Sequence, residues 1–373
     1  MLAVLLLTGC SVSEADERDV SGSAAPSGAD AGSDAGAPSV RFVSPAAAAT
    51  VANPVVFTIA ATAVEEVEVF DEGGKSLGAF DPSKRTTLRH RFPHPGGARR
   101  ARVVARARGV EVARDELAIT VSPDSCEDRF FVTNFDKRNE DPTGAADIAA
   151  LREDSLAEIK AAVADIEACG AKVTLGNIMS LLLYEGGFRV AAFNTRCSEN
   201  SYNRTERDCD VDPEALYSYQ FGIGGFHTSN LHPCKGGAYT QKMRKRFLEL
   251  ASGGGFPIQS SLVTGEIAAR FAQVCPSATP SAVDYYVLGA HVPFGIPKND
   301  AGSAYAAHSK FPFFTPAVSV KLTFAEMRDS CASIADDREA IAVFGGGDAS
   351  YGTAAKQNAI MAYFRDFRAE SCD

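Results

Sequence analysis

The chain has no tryptophan and only five methionines among 373 residues, so any ring-stacking surface must be built from its 23 phenylalanines and 10 tyrosines. It has no cysteine between Cys10 and Cys126, so nothing in that interval can be stapled by a disulfide. There is no CxxC pair and no HExxH box, which removes the commonest zinc frameworks. "VFGGGDASYG", Val343 to Gly352, is rich in glycine but lacks the lysine of a phosphate-binding loop and reads as a loop. Basic excess is also missing. With 37 Lys and Arg against 47 Asp and Glu, the formal charge of −10 excludes a nucleic-acid backbone as the natural partner. No internal repeat is apparent.

What is present begins with "MLAVLLLTGC", an apolar run too short to cross a bilayer as a helix. Its Leu7-Thr8-Gly9-Cys10 box resembles a bacterial lipoprotein signal. The resemblance implies cleavage of residues 1–9, lipidation of Cys10, and export to a membrane-anchored position facing the periplasm or the cell surface. Residues 10–38 are then a tether of Ser, Ala, Gly and Asp with almost nothing to bury.

An exported chain meets oxidising conditions, and the remaining cysteines form an even set: Cys126, Cys169, Cys197, Cys209, Cys234, Cys275, Cys331 and Cys372. Four disulfides are expected, with connectivity open. The rival use of these groups is metal binding at "HTSNLHPC", where His227, His232 and Cys234 lie close together. The expectation is nonetheless no metal and no cofactor.

Residues 39–123 alternate with period two. Ala101, Val103, Ala105 and Ala107 share one parity, and Arg100, Arg102, Arg106 and Arg108 the other. About seven short strands with one wet face predict an antiparallel β-sandwich. The segment resembles the bacterial immunoglobulin-like domains that precede catalytic modules. Its arginine ladder reads as a solvated face, with an anionic polymer as the alternative ligand.

Residues 124–373 turn helical. Ile148, Leu151, Ser155, Ile159, Val163 and Ile166 recur at helical spacing up to Gly170. "LGNIMSLLLYE" predicts a second, more apolar helix, and further helices are expected in "AYTQKMRKRFLELASGGG", "SSLVTGEIAARFAQVC", "FAEMRDSCASI" and "AAKQNAIMAYFRDFRAESC". The fold class is therefore multidomain: a β-sandwich followed by a mainly α domain with disulfides.

The most informative stretch is "LLLYEGGFRVAAFN", Leu181 to Asn194, where one acid stands in an apolar segment that breaks into Gly-Gly. Lost hydration favours the neutral form of Glu185, and a neutral carboxylic acid can deliver a proton near neutral pH. The simpler alternative is a helix end whose Glu turns to solvent. Downstream, "LYSYQFGIGGFHTSN" supplies glycines and aromatics, with the simple glycine hairpin as its alternative.

Glu185, Phe188, Asn194 and the segment Phe221-Gly222-Ile223-Gly224-Gly225-Phe226-His227 together resemble the lysozyme-like superfamily: lytic transglycosylases, goose-type lysozymes and plant-type chitinases. The resemblance covers about Ala145 to Phe247. It implies a mainly helical lysozyme-like domain with Glu185 as general acid and a glycan substrate, peptidoglycan above chitin.

In the plant-type chitinases a second acid in the loop after the glutamate acts as base; the resemblance implies that role for Glu206, which stands at a similar distance after Glu185, with Glu199, Asp208 and Asp210 as competitors. The resemblance implies substrate contacts at Phe188, Asn194, Phe221, Gly222, Gly224, Gly225, Phe226 and His227, and Tyr202, Asn203, Tyr217 and Tyr219 would add polar or stacking contacts. Tyr285 and Tyr286 enter through a loose echo of a transglycosylase segment. The chain departs from the family pattern at Gly186, Ile223 and His227, where Ser or Thr, Arg, and Gln are usual. A non-catalytic wall-binding or inhibitor lipoprotein on the same fold is the alternative of a different class.

Overall fold

The computed structural model describes residues 37–139, 147–190, 193–194, 217, 220–235, 237–253, 265–289, 315–345 and 348–372. Its N-terminal part is β-rich, with strands β1 (Ser39–Ser44), β2 (Thr50–Val51), β3 (Val55–Thr62), β4 (Glu66–Asp71), β5 (Ser76–Phe80), β6 (Thr87–His90), β7 (Gly97–Ala107) and β8 (Val110–Val121). They form one sheet of order β1-β3-β6 and another of order β2-β8-β7-β4-β5. Inward residues of both sheets, among them Phe57, Ile59, Val67, Val69, Val103 and Ile119, share one buried cluster. One pairing departs from the antiparallel expectation: β2 runs parallel to β8.

The predicted sidedness of β7 is present, with Ala101, Val103 and Ala105 at most 2% exposed. Its arginines are not a free basic face. Arg106 Nη1 lies 2.6 Å from Glu68 and 3.8 Å from Glu66 on the neighbouring strand. Arg102 sits over the Phe70 ring and Arg99 pairs with Glu72. A cross-strand charge pair at Arg106 and a ring contact at Arg102 thus engage two of the four ladder arginines.

Beyond Pro123 come α1 (Cys126–Asp136), α2 (Ile148–Ala168), α3 (Leu175–Gly186), the short strands β9 (Phe193–Asn194), β10 (Gln220–Phe221) and β11 (Phe226–His227), and then α4 (Gly237–Gly253), α5 (Gly265–Val274), α6 (Ala282–Gly289), α7 (Pro316–Thr323), α8 (Ala325–Ser330), α9 (Asp337–Phe344) and α10 (Ala354–Ser371). Among the described residues, three disulfides hold this part. Cys126–Cys372 ties the first helix to the last, Cys169–Cys331 ties the end of α2 to the end of α8, and Cys234–Cys275 ties the turn before α4 to the end of α5. Cys10, Cys197 and Cys209 lie outside the described residues. Among those described, no helix is long and apolar enough to cross a membrane.

Helix α3 is the axis of the larger helical core. Ile178, Met179, Leu181, Leu182 and Leu183 are at most 4% exposed. Asp337, from α9, caps the helix start by accepting from Thr174 N at 2.7 Å, Thr174 Oγ1 at 2.8 Å and Asn177 Nδ2 at 2.8 Å. At Gly176 the Phe364 ring of α10 occupies the space a Cβ would fill, coming within 2.1 Å of it. The helix ends at Gly187 in the left-handed region (φ 62°), where a glycine costs least.

The β-rich and helical parts meet at a buried ion network. Arg91 makes a two-pronged pair with Glu153 (Nε to Oε1 2.8 Å, Nη2 to Oε2 2.7 Å) and also donates to Asp124. The side chains of Arg91 and Glu153 are each 4% exposed and that of Asp124 is 6% exposed. Burial alone would raise Glu153, but the hydrogen bonds and charge of Arg91 hold it below its ordinary value. Removing one partner strands buried charge. Arg91→Met is therefore expected to lower the unfolding free energy by about 3–5 kcal/mol in denaturant titration. A loss below about 1 kcal/mol would show the network to be no more than a surface pair.

Candidate functional site

The end of α3 lies against the hairpin formed by β10 and β11. β10 pairs with β9 on one side (Gln220 with Asn194) and with β11 on the other (Phe221 with Phe226). The turn between β10 and β11 closes with Gly225 N donating to Gly222 O at 3.1 Å, and both glycines have positive φ. Ile223 is buried in the core around α3, whereas Phe221 and Phe226 belong to the second core formed with α4, α5 and α6. The hairpin thus joins the two cores.

Its glycines serve the contact with the chain itself. A Cβ on Gly186 would meet Ile223 O at 2.3 Å, one on Gly224 would meet Thr323 Cγ2 at 2.3 Å, and one on Gly225 would lie 3.3 Å from Glu185 O. At Gly186 the hairpin backbone therefore passes too close for a side chain.

Glu185 faces a cleft of about 380 Å³, bounded on one side by Gly224, Gly225, Phe226 and His227 and on the other by Gly345, Asp348 and Tyr351, with Tyr239, Thr323 and Glu326 between. Burial pushes the Glu185 carboxyl above its ordinary value. A hydrogen bond from Tyr351 and the charge of Lys356 pull partly against that, while Asp348 adds to the rise. The Tyr351 hydroxyl donates to Glu185 Oε1. Burial, with the carboxyl of Glu185 beside it, holds the Tyr351 phenol well above its ordinary range, so it remains a donor.

Tyr351 is itself well fixed. Its ring lies over Gly345, where a Cβ would come within 2.5 Å. Gln357 Nε2 donates to its carbonyl at 2.9 Å, and the Lys356 ammonium lies 3.4 Å from its ring centroid. Asp348 caps the turn that carries it by accepting from Ser350 N at 2.8 Å. Tyr351→Phe removes the donor and should raise the Glu185 carboxyl further. The basic limb of a rate–pH profile is then expected to move to higher pH, with about 1–2 kcal/mol of stability lost at neutral pH.

The turn after Glu185 is also locked. Phe188 takes φ 57°, unusual for a bulky residue. Its ring is buried between Phe130 and Phe131, and Asn139 clamps the turn by donating to Phe188 O (2.8 Å) and accepting from Val190 N (2.9 Å). Phe188 therefore positions the acid from the core and does not line the cleft.

Other expected contacts separate in the same way. Phe226, His227, Gly224 and Gly225 line the cleft with Glu185, while Phe221 is buried. His227 Nδ1 lies 2.6 Å from Ser229 Oγ. Tyr285 and Tyr286 are a correction: they lie on α6, 8% and 1% exposed, within the second core and away from the cleft lining. Tyr217 is core as well, its hydroxyl donating to the fully buried Asp284 at 2.6 Å. Asn194 is placed only through its strand pairing. Glu206, Tyr202, Asn203 and Tyr219 lie outside the described residues, as do Glu199, Asp208 and Asp210.

The zinc alternative loses a ligand, because Cys234 is bonded to Cys275 and its N–H donates to His232 Nδ1 at 3.1 Å. Among the described residues, no group of three His, Cys, Asp or Glu is placed to hold a metal. The chain matches no protein-family model and no curated protein sequence.

Residues that sequence reasoning missed are Tyr351, Asp348, Glu326 and Tyr239. Glu326 puts a second carboxyl on the cleft wall with Tyr239, whose phenol is pushed up by burial and by that neighbouring carboxyl. The arrangement puts two carboxyl groups, Glu185 and Glu326, on the wall of one cleft, with Glu185 shifted by burial toward its neutral form, and acid-assisted bond cleavage uses such a pair.

Proposed function

We propose that the protein cleaves the glycan strand of peptidoglycan, with Glu185 as the general acid. In this reading the helical part is a lysozyme-like domain, the β-rich part is an immunoglobulin-like sandwich, and the chain is exported and anchored through lipidated Cys10. The observation that carries it is the half-buried Glu185 carboxyl, raised by burial, aimed into a cleft between a glycine hairpin and the Tyr351 turn. Glycosidic cleavage requires a proton on a poor leaving oxygen as positive charge develops on the sugar. A carboxyl that its surroundings shift toward the neutral form is suited to supply that proton.

The second acid separates hydrolysis from the lytic route, in which the substrate's own hydroxyl attacks. Glu326 joins Glu206 as a candidate because it lines the same cleft. Glu326→Gln should cost at least about tenfold in rate if it activates water and little if the route is lytic. The functional test is release of soluble fragments from labelled peptidoglycan by the full chain. Release is the expected result; no release from several wall types would favour a wall-binding or inhibitor lipoprotein instead.

A further inference from the structure

Next to Glu185 stands Tyr184, which does not line the cleft and is 42% exposed; its ring centroid is 6.4 Å from that of Tyr363 on α10, 44% exposed. In a chain without tryptophan, two half-exposed tyrosine rings close together on adjoining helices offer ring faces on which a sugar can stack. They are linked to the acid: the Lys356 ammonium lies 5.4 Å from the Tyr184 ring centroid and 3.4 Å from that of Tyr351, whose hydroxyl binds Glu185. Lys356 and Tyr363 are seven residues apart on α10, two turns along one face, and so about 10 Å apart by helix rise.

Tyr363 is also one wall of a separate hollow of about 330 Å³ between α1, α3 and α10. Phe130, Leu183 and Phe367 give it an apolar floor, and Asn134, Asp366 and Glu370 give it a polar rim. An apolar floor suits the hydrophobic face and acetyl methyl of an N-acetylated hexosamine. Rim carboxylates accept hydrogen bonds from sugar hydroxyls and amide N–H groups, and they disfavour the anionic stem peptides of the wall.

We propose that Tyr184, Tyr363 and the adjoining hollow form a second glycan-binding site, beside the Glu185 cleft, that takes neutral N-acetylhexosamine rings of the same strand. The site rests on the glycan reading of the cleft for its substrate class, but it binds whether or not cleavage occurs.

The test uses the full, folded chain, with the N-acetylglucosamine hexamer as soluble probe, followed by calorimetry and by tyrosine fluorescence, and purified peptidoglycan as insoluble probe, followed by co-sedimentation. Both residues are exposed, so substitution should leave the fold intact, and thermal denaturation checks this. Tyr184→Ala with Tyr363→Ala is expected to weaken binding of both probes about tenfold, and the paired Phe substitutions, which keep the ring faces, to restore most of it. Val110→Ser, at an exposed position on β8, serves as the control. Unchanged binding by the paired Ala variant, or no binding of either probe by the wild type, overturns the proposal. A wild type that binds through these tyrosines yet releases no fragments removes the catalytic reading and leaves this site standing. Cleavage with tyrosine-independent binding does the reverse.

Discussion

Replacing Glu185 by Gln is expected to abolish at least about 99% of fragment release while leaving the fold intact, because a positioned acid contributes on the order of a hundredfold or more. Gln keeps the shape and can still accept from the Tyr351 hydroxyl, but it has no proton to give. The same substitution carries a stability signature independent of substrate. The folded state raises the Glu185 carboxyl above its unfolded value, so the folded protein binds the proton more tightly. Its stabilising contribution is fully present below the unfolded value and is lost as pH rises through the folded one. The variant has no such loss. The melting temperature of Glu185→Gln relative to wild type should therefore climb as pH rises through the range just above ordinary carboxylate titration, and then level off. A difference independent of pH would show that Glu185 is solvated like any helix-end acid. Lys356→Gln removes the cation that opposes the rise, and its rate–pH profile should keep the protonated acid active to higher pH.

The second large effect concerns the disulfides. Cys126–Cys372 closes a loop of 246 residues and so joins the two ends of the helical part. In the chain-entropy account such a closure is worth roughly 5 kcal/mol, and each of the other two described bridges roughly 3–5 kcal/mol. Reduction is expected to collapse the thermal transition of the helical part. The β-rich part, with no cysteine between residues 39 and 123, should keep its strand signal in circular dichroism. Thiol titration of the unfolded, unreduced chain should find none of the six bridged cysteines reactive. Retention of the helical transition after complete reduction would contradict the assignment of stability to these bridges.

The sequence makes the long periodic helices readable. α2, α3 and α10 bury a stripe or a whole surface, and such patterns survive without knowledge of the partner. Glu185 was legible for the same reason, as one acid in an apolar run. Tyr351 was not. It lies 166 residues from Glu185 in a glycine-rich stretch with no periodicity, and that stretch reads as a loop. The glycine that matters there, Gly345, is required by a ring that folds back over it, a contact no local pattern encodes.

The glycines of the hairpin misled in the opposite sense. They invite the expectation of an open approach to a ligand, whereas Gly186, Gly224 and Gly225 are small because Ile223, Thr323 and Glu185 come close. Tyr285 and Tyr286 show how little a short echo carries. They sit in an apolar run of the kind that periodicity cannot assign, and the buried Asp284–Arg244 pair anchors that run as a core helix.

The most direct measurement is mass spectrometry of the ends of the fragments that the full chain releases from purified peptidoglycan, run beside Glu185→Gln at equal folded concentration. Glycan cleavage by this carboxyl predicts new sugar ends in the wild-type digest, either anhydro for the lytic route or reducing for hydrolysis, and at least about a hundredfold fewer in the variant digest. Equal amounts of new ends from both proteins, or fragments whose only new ends lie in the peptide, would contradict it.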